Sequence, residues 1–147
     1  MCGGCSLQHL TADAQLRAKD ILLHEDLSRM GGVEASERFA PVAGPAWAYR
    51  RRARLGARKV EGKGRVLVGF LEKVKPFVAD IFGGQVLAEP AGTLFDPLSA
   101  LLTGLSFARS VPQVDVCVAD NRTALVIRFL VEPSTEDLAA LRGFQEL

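Results

Sequence analysis

Between Leu10 and Met30 the chain holds helix-forming residues with neither Pro nor Gly, and Leu16, Leu23, Leu27 and Met30 recur at spacings of seven, four and three. That period predicts an amphipathic helix, begun at Thr11 or Asp13 and stopped by Gly31-Gly32. A loop through Pro41, Gly44 and Pro45 follows, and then the period changes to two. From Tyr49 to Arg58 the odd positions read Tyr, Arg, Ala, Leu, Ala, while the even positions read Arg, Arg, Arg, Gly, Arg. Successive side chains of a strand point to opposite faces, so this stretch predicts a strand with a guanidinium-rich face, Arg51 alone breaking the separation.

Glu61 to Gly64 reads as a turn and Val66 to Leu71 as the returning apolar strand, a hairpin, with Pro76 to Ile81 as a further short strand. Phe95 to Phe107 predicts a helix with Asp96 as cap and Pro97 in the first turn. Val114, Val116 and Val118 alternate again, Asp120-Asn121 supplies a turn, and Leu125 to Leu130 completes a second hairpin. Ser134 to Asp137 starts a last helix ending near Gly143. Helix, hairpin, helix, hairpin, helix implies an α+β fold: an antiparallel sheet built from hairpins, with helices packed on one face. At 147 residues one domain is expected over 1–147.

No apolar run reaches the ~18 residues of a membrane-spanning helix, so no membrane is expected as a partner. No charged start followed by an apolar stretch marks a secretory signal, and three cysteines do not make a disulfide framework. A reducing, cytoplasmic setting follows.

The formal charge of +1 hides an asymmetry. Residues 50 to 75 hold ten cations against Glu61 and Glu72, which is +8, and the rest of the chain balances at −7. Arg50, Arg51, Arg52, Arg54, Arg58 and Lys59 lead this segment. Arginine holds phosphate bidentately and stacks on bases, so nucleic acid, and RNA rather than DNA, is the natural partner. The plainer alternative is a solvated face whose arginines pair with acids elsewhere.

Cys2 and Cys5, in Cys-Gly-Gly-Cys, suit either a redox dithiol or half of a metal site. The redox motif belongs after a strand, and no strand precedes Cys2. Among further ligands, Cys117 lies in a strand pattern and reads as a small buried residue. His9 and His24 stand at no zinc spacing and read as solvated or capping residues. The glycines at 62, 64, 83 and 84 read as turn residues rather than a phosphate loop.

Cys2-Gly-Gly-Cys-Ser-Leu-Gln-His-Leu10, Gln15 and Lys19 in the helix, Tyr49-Arg-Arg-Arg-Ala-Arg-Leu55, Val68-Gly-Phe70, Val86-Leu-Ala88 and Val118-Ala-Asp-Asn121 with Arg128 beyond resemble the bacterial 23S rRNA (uracil-5-)-methyltransferases of the RumA/RlmD type. The resemblance implies the central α+β domain of an enzyme that also carries an RNA-binding TRAM barrel and a Rossmann-like methyltransferase domain, neither of which is expected here. It implies 23S rRNA as partner, and S-adenosylmethionine as a methyl donor bound outside this segment. The family's cysteine nucleophile sits in a Ser-Cys-Asn-Pro motif that these residues lack, so no catalytic residue is expected and Cys117 inherits no such role.

The family's [4Fe-4S] ligands are a cysteine six residues before the Cys-Gly-Gly-Cys pair, the pair itself, and one in a Cys-Pro-x-Leu stretch. Here the first would precede Met1 and the last is replaced by Gly84, leaving Cys2 and Cys5 as an incomplete metal site. The chain is thus expected to be a fragment or truncated form contributing RNA binding. A stand-alone RNA-binding module is the rival, with a zinc or redox protein behind it.

Overall fold

A computed structural model describes residues 2–144. The chain divides into two compact units, one formed by Met1–Gly4 with Trp47–Leu147 and the other by Cys5–Ala46.

The smaller unit is organised by a helix over Ala12–Arg29 (α1). Thr11 is its N-cap, its side chain accepting from the Ala14 N–H at 3.3 Å, and the Gln15 side-chain amide donates to the Leu10 carbonyl at 3.1 Å. Gly31 N–H returns to Asp26 and Val33 N–H to Leu27, closing the C-terminal turn where the glycine pair was expected to stop it. His24 lies 3.4 Å from Asp20 one turn earlier, and no residue of α1 is buried.

The larger unit is built on four antiparallel strands, Arg52–Val60 (β1), Arg65–Gly69 (β2), Gln113–Val118 (β3) and Thr123–Arg128 (β4), in the order β2-β1-β3-β4. The two hairpins expected from the alternation are joined by pairing of β1 with β3, in which Leu55 faces Val114 and Arg54 faces Asp115. Period-two patterning sends Ala53, Leu55 and Ala57, Val66 and Val68, Val114, Val116 and Val118, and Leu125 and Ile127 to one face. Against that face lie Phe95, Leu98 and Leu102 of the helix Phe95–Gly104 (α2) and Leu141 of the helix Thr135–Gly143 (α3). Each such large apolar side chain contributes about 1.5–3 kcal/mol by leaving water. The architecture is α+β.

α2 also shields the outer edge of β2. Ser99 Oγ donates to the Val66 carbonyl at 2.5 Å, and the Val66 N–H donates to Thr103 Oγ1 at 2.8 Å. These hydroxyls satisfy an edge residue that would otherwise present a bare donor and acceptor. α3 begins with a capping box between Ser134 and Asp137. Asp137, a buried carboxylate, also accepts from the Ser106 N–H at 2.8 Å and the Ser106 hydroxyl at 2.7 Å, tying α3 to the loop after α2.

Four local expectations are corrected. Pro76 to Ile81 forms no strand: Pro76 has no N–H, and the segment makes only an isolated bridge between Leu71 and Val78 before Val78 and Ala79 bury themselves over the sheet. α2 is entered from a 3₁₀ turn over Ala91–Thr93, so Leu94 occupies the cap position and Asp96 lies inside the first turn. The same helix ends at Gly104, because Asp137 claims Ser106. Tyr49 and Arg50 precede β1, their backbone running beside residues 85–88 instead.

Candidate nucleic-acid interface

Outside the core, β1, β3 and β4 present a second face. Arg52, Arg54 and Arg58 project from β1, and the register places Cys117 opposite Arg52, Asp115 opposite Arg54 and Leu67 of β2 opposite Arg58. On β4 the matching side chains are Ala124, Val126 and Arg128. An open groove runs here, lined by Arg52, Arg54, Asp115, Cys117, Ala124 and Val126 among others. Four arginines against one aspartate give this face +3.

Arg54 Nε donates to Asp115 Oδ1 at 3.0 Å, and the Gln113 amide donates to the other carboxylate oxygen at 2.7 Å. These hydrogen bonds, Arg54 first, and the nearby charge of Arg128 outweigh desolvation and hold the Asp115 carboxyl below its ordinary value. Arg52 and Arg58 are exposed and make no side-chain hydrogen bond or ion pair among the described residues, and Arg128 reaches Asp115 only through its field. The plainer alternative of a self-neutralised surface therefore describes Arg54 alone of the three arginines on β1's outer face.

The other basic residues of the segment go elsewhere. Arg51 turns away and pairs with Asp120 at 2.6 Å. Lys59 donates to the Gly64 carbonyl at 3.0 Å, closing its own hairpin. Lys63 and Arg65 share Asp80, whose carboxyl is held low chiefly by Lys63. Arg50 leaves the row altogether: its guanidinium donates to the Gly4 carbonyl at 3.2 Å and lies over the Phe70 ring, 5.6 Å from the centroid.

That contact positions the first cysteine. Gly3 N–H donates to the Leu71 carbonyl at 2.7 Å, Cys2 bridges to Glu72, and the Gly4 N–H points at Cys2 Sγ, 3.4 Å away. Gly4 is pressed so closely onto Phe70 that a Cβ there would lie 2.5 Å from the ring. Cys117, expected to be buried, is exposed: it occupies the outward position between two inward valines, and alternation on a half-open sheet leaves it facing water. Asp115 and Gln113 escaped the sequence reading, and Arg128 entered it only through the family resemblance, since only the β1–β3–β4 register brings them beside the arginines. The outward parity of Asp115 and Arg128 within their valine- and leucine-rich strands was the available signal.

No protein-family model matches the chain. Among curated proteins it is 45% identical over 144 residues to the 23S rRNA (uracil(1939)-C(5))-methyltransferase RlmD of Methylococcus capsulatus, covering 98% of the chain and 32% of that relative. The RlmD proteins of Thiobacillus denitrificans and Alcanivorax borkumensis are 44% and 42% identical, again over nearly the whole chain and 34% and 32% of their lengths. By sequence this chain is RlmD-like. It spans about a third of the length of the relatives it matches.

Within this RlmD-like segment, the residues present do not fit a four-cysteine cluster. No three His, Cys, Asp or Glu side chains converge on a metal position among the described residues. At Gly84, where the family pattern places a ligand, a Cβ would lie 3.1 Å from Phe95 Cζ and 3.3 Å from Leu87 Cδ1. The fourth position is thus filled by the core: Phe95 is buried and meets Phe70 edge-on at 6.3 Å. No helix of the described residues is long and apolar enough to cross a membrane.

Proposed function

We propose that this chain is the RNA-docking segment of a 23S rRNA uracil-C5-methyltransferase and holds 23S rRNA, not DNA, on the outer face of its sheet. Arg52 and Arg58 make the principal phosphate contacts, with Arg54 and Arg128 beside them. Arg51 and Lys59 contribute charge from the flanks, and Arg50 stands behind the interface as the support of the Cys2 segment. The observation that carries this reading is two exposed guanidiniums without a partner among the described residues, Arg52 in the open groove and Arg58 further along β1, in a chain 45% identical over 144 residues to an RlmD. Guanidiniums left without carboxylate partners are free to exchange counterions for phosphate, which gives affinity and register rather than base choice.

Methyl transfer from S-adenosylmethionine belongs to the part of such an enzyme that these residues do not span, and the segment contributes no catalytic group. A cytoplasmic setting follows from an rRNA substrate.

Ultraviolet cross-linking of the chain to a 23S rRNA fragment, followed by peptide mapping, tests the assignment. Cross-links on peptides from β1, β3 and β4 are expected. Cross-links confined to Cys5–Ala46 would contradict it.

A further inference from the structure

The outward positions of the sheet carry a second message in what they hold besides arginine. On β3 they are Gln113, Asp115 and Cys117 and on β4 Ala124 and Val126, whereas Leu67 and Gly69 at the matching positions of β2 are buried, and Val78 and Leu71 lie over Gly56 between Arg54 and Arg58. None is aromatic. Phe129, just beyond β4, turns the other way and packs on Phe107, with ring centroids 5.4 Å apart. A sheet that binds single-stranded RNA does so by stacking splayed bases on aromatic side chains, and the outward strand positions among the described residues supply no such platform.

The cations are also not arranged as a track. Arg54 is matched by Asp115, so the middle of the face is close to neutral. The unpartnered charges lie around it: Arg52 toward one end of β1, Arg58 about 20 Å away toward the other at the usual rise per residue, and Arg128 two strands across, level with Gly56. A single strand following a continuous basic groove is served poorly by a neutral gap. Two phosphate backbones on either side of a shallow groove place charge at separated points and leave the centre to sugars.

We propose that this face takes the sugar–phosphate surface of paired, A-form RNA rather than an unpaired strand. This rests on the RNA-binding reading above and names the substrate class of the same site. The neutral Arg54–Asp115 centre lies under the groove of the duplex, while Arg52, Arg58 and Arg128 reach phosphates on its two sides.

The test is fluorescence polarisation of the full 147-residue chain. The probes are a labelled RNA hairpin with a long, fully paired stem and an unstructured oligouridine with the same number of phosphates. About tenfold tighter binding of the hairpin is expected. Arg52→Ala with Arg58→Ala should lower hairpin affinity and reduce the slope of log K against log salt by about two. Oligouridine binding as tight as the hairpin would overturn the paired-RNA inference and leave the RNA-binding reading standing. A hairpin preference unchanged by these substitutions would overturn the assignment to this face. Absence of binding to either RNA would overturn both readings.

Discussion

Asp115 stands directly across the β1–β3 ladder from Arg54 and accepts its guanidinium at 3.0 Å, so one acid neutralises the centre of an otherwise basic face. Arg54 is well exposed and Asp115 partly so, and such a solvent-screened pair is worth little to stability. Its consequence is electrostatic. Asp115→Asn should leave the melting temperature nearly unchanged, free Arg54, and tighten binding to an rRNA hairpin several-fold at low salt, with a salt slope steeper by about one. Polarisation titrations at several salt concentrations measure both effects.

Arg50 separates from its neighbours in the opposite way. Its hydrogen bond to the Gly4 carbonyl and its place over Phe70 support the Cys2–Gly4 segment. Arg50→Ala should cost about 1–2 kcal/mol, combining a lost hydrogen bond with a lost cation–π contact. It should also raise hydrogen exchange at Gly3, whose N–H bonds to Leu71, and reduce the salt slope for RNA less than Arg52→Ala does.

The Cys-Gly-Gly-Cys stretch suggests that a ligand restored at position 84 would complete more of the site, but the core argues otherwise. Gly84→Cys would bring its Cβ within 3.1 Å of Phe95 Cζ, and a buried ring between Gly84 and Phe70 has little room to give. Overpacking of this kind costs about 1–3 kcal/mol. The variant should melt several degrees lower, and protein prepared without oxygen should hold no stoichiometric iron by metal analysis.

Asp137 should dominate the acid side of the stability curve. The Ser106 hydroxyl and N–H and the Ser134 hydroxyl hold its carboxyl well below the usual carboxylate range, against the opposing effect of burial. Because the folded value lies below the unfolded one, this stabilisation is complete above about pH 5 and is lost as pH falls below 4. Asp137→Asn should therefore lower the melting temperature at pH 7 by several degrees and flatten its fall between pH 5 and 3. A thermal melt series across that range reads the difference.

The elements whose pattern is local were legible in the sequence. α1 lies within its expected span and is capped at Thr11, both hairpins form where the alternation places them, and Ser134 starts α3. What escaped depends on distant chain. Arg50 shares the parity of Arg52 and Arg54, yet its backbone pairs with Val86 and Ala88, taking it out of β1. Ser99, Thr103 and Asp137 look like ordinary polar helix residues, and their bonds to Val66 and Ser106 exist only once α2 and α3 are docked. Of the interface, the basic strand was visible. That Asp115 cancels one arginine and leaves two was not, because it requires the pairing of β1 with β3.

The most direct measurement is the salt dependence of binding to a 23S rRNA hairpin for the unaltered chain and for the Arg52→Ala, Arg58→Ala double variant. RNA docking on the outer sheet face predicts weaker binding for the variant and a slope of log K against log salt shallower by about two. Equal affinities and equal slopes would show that the RNA, if bound, rests on another surface.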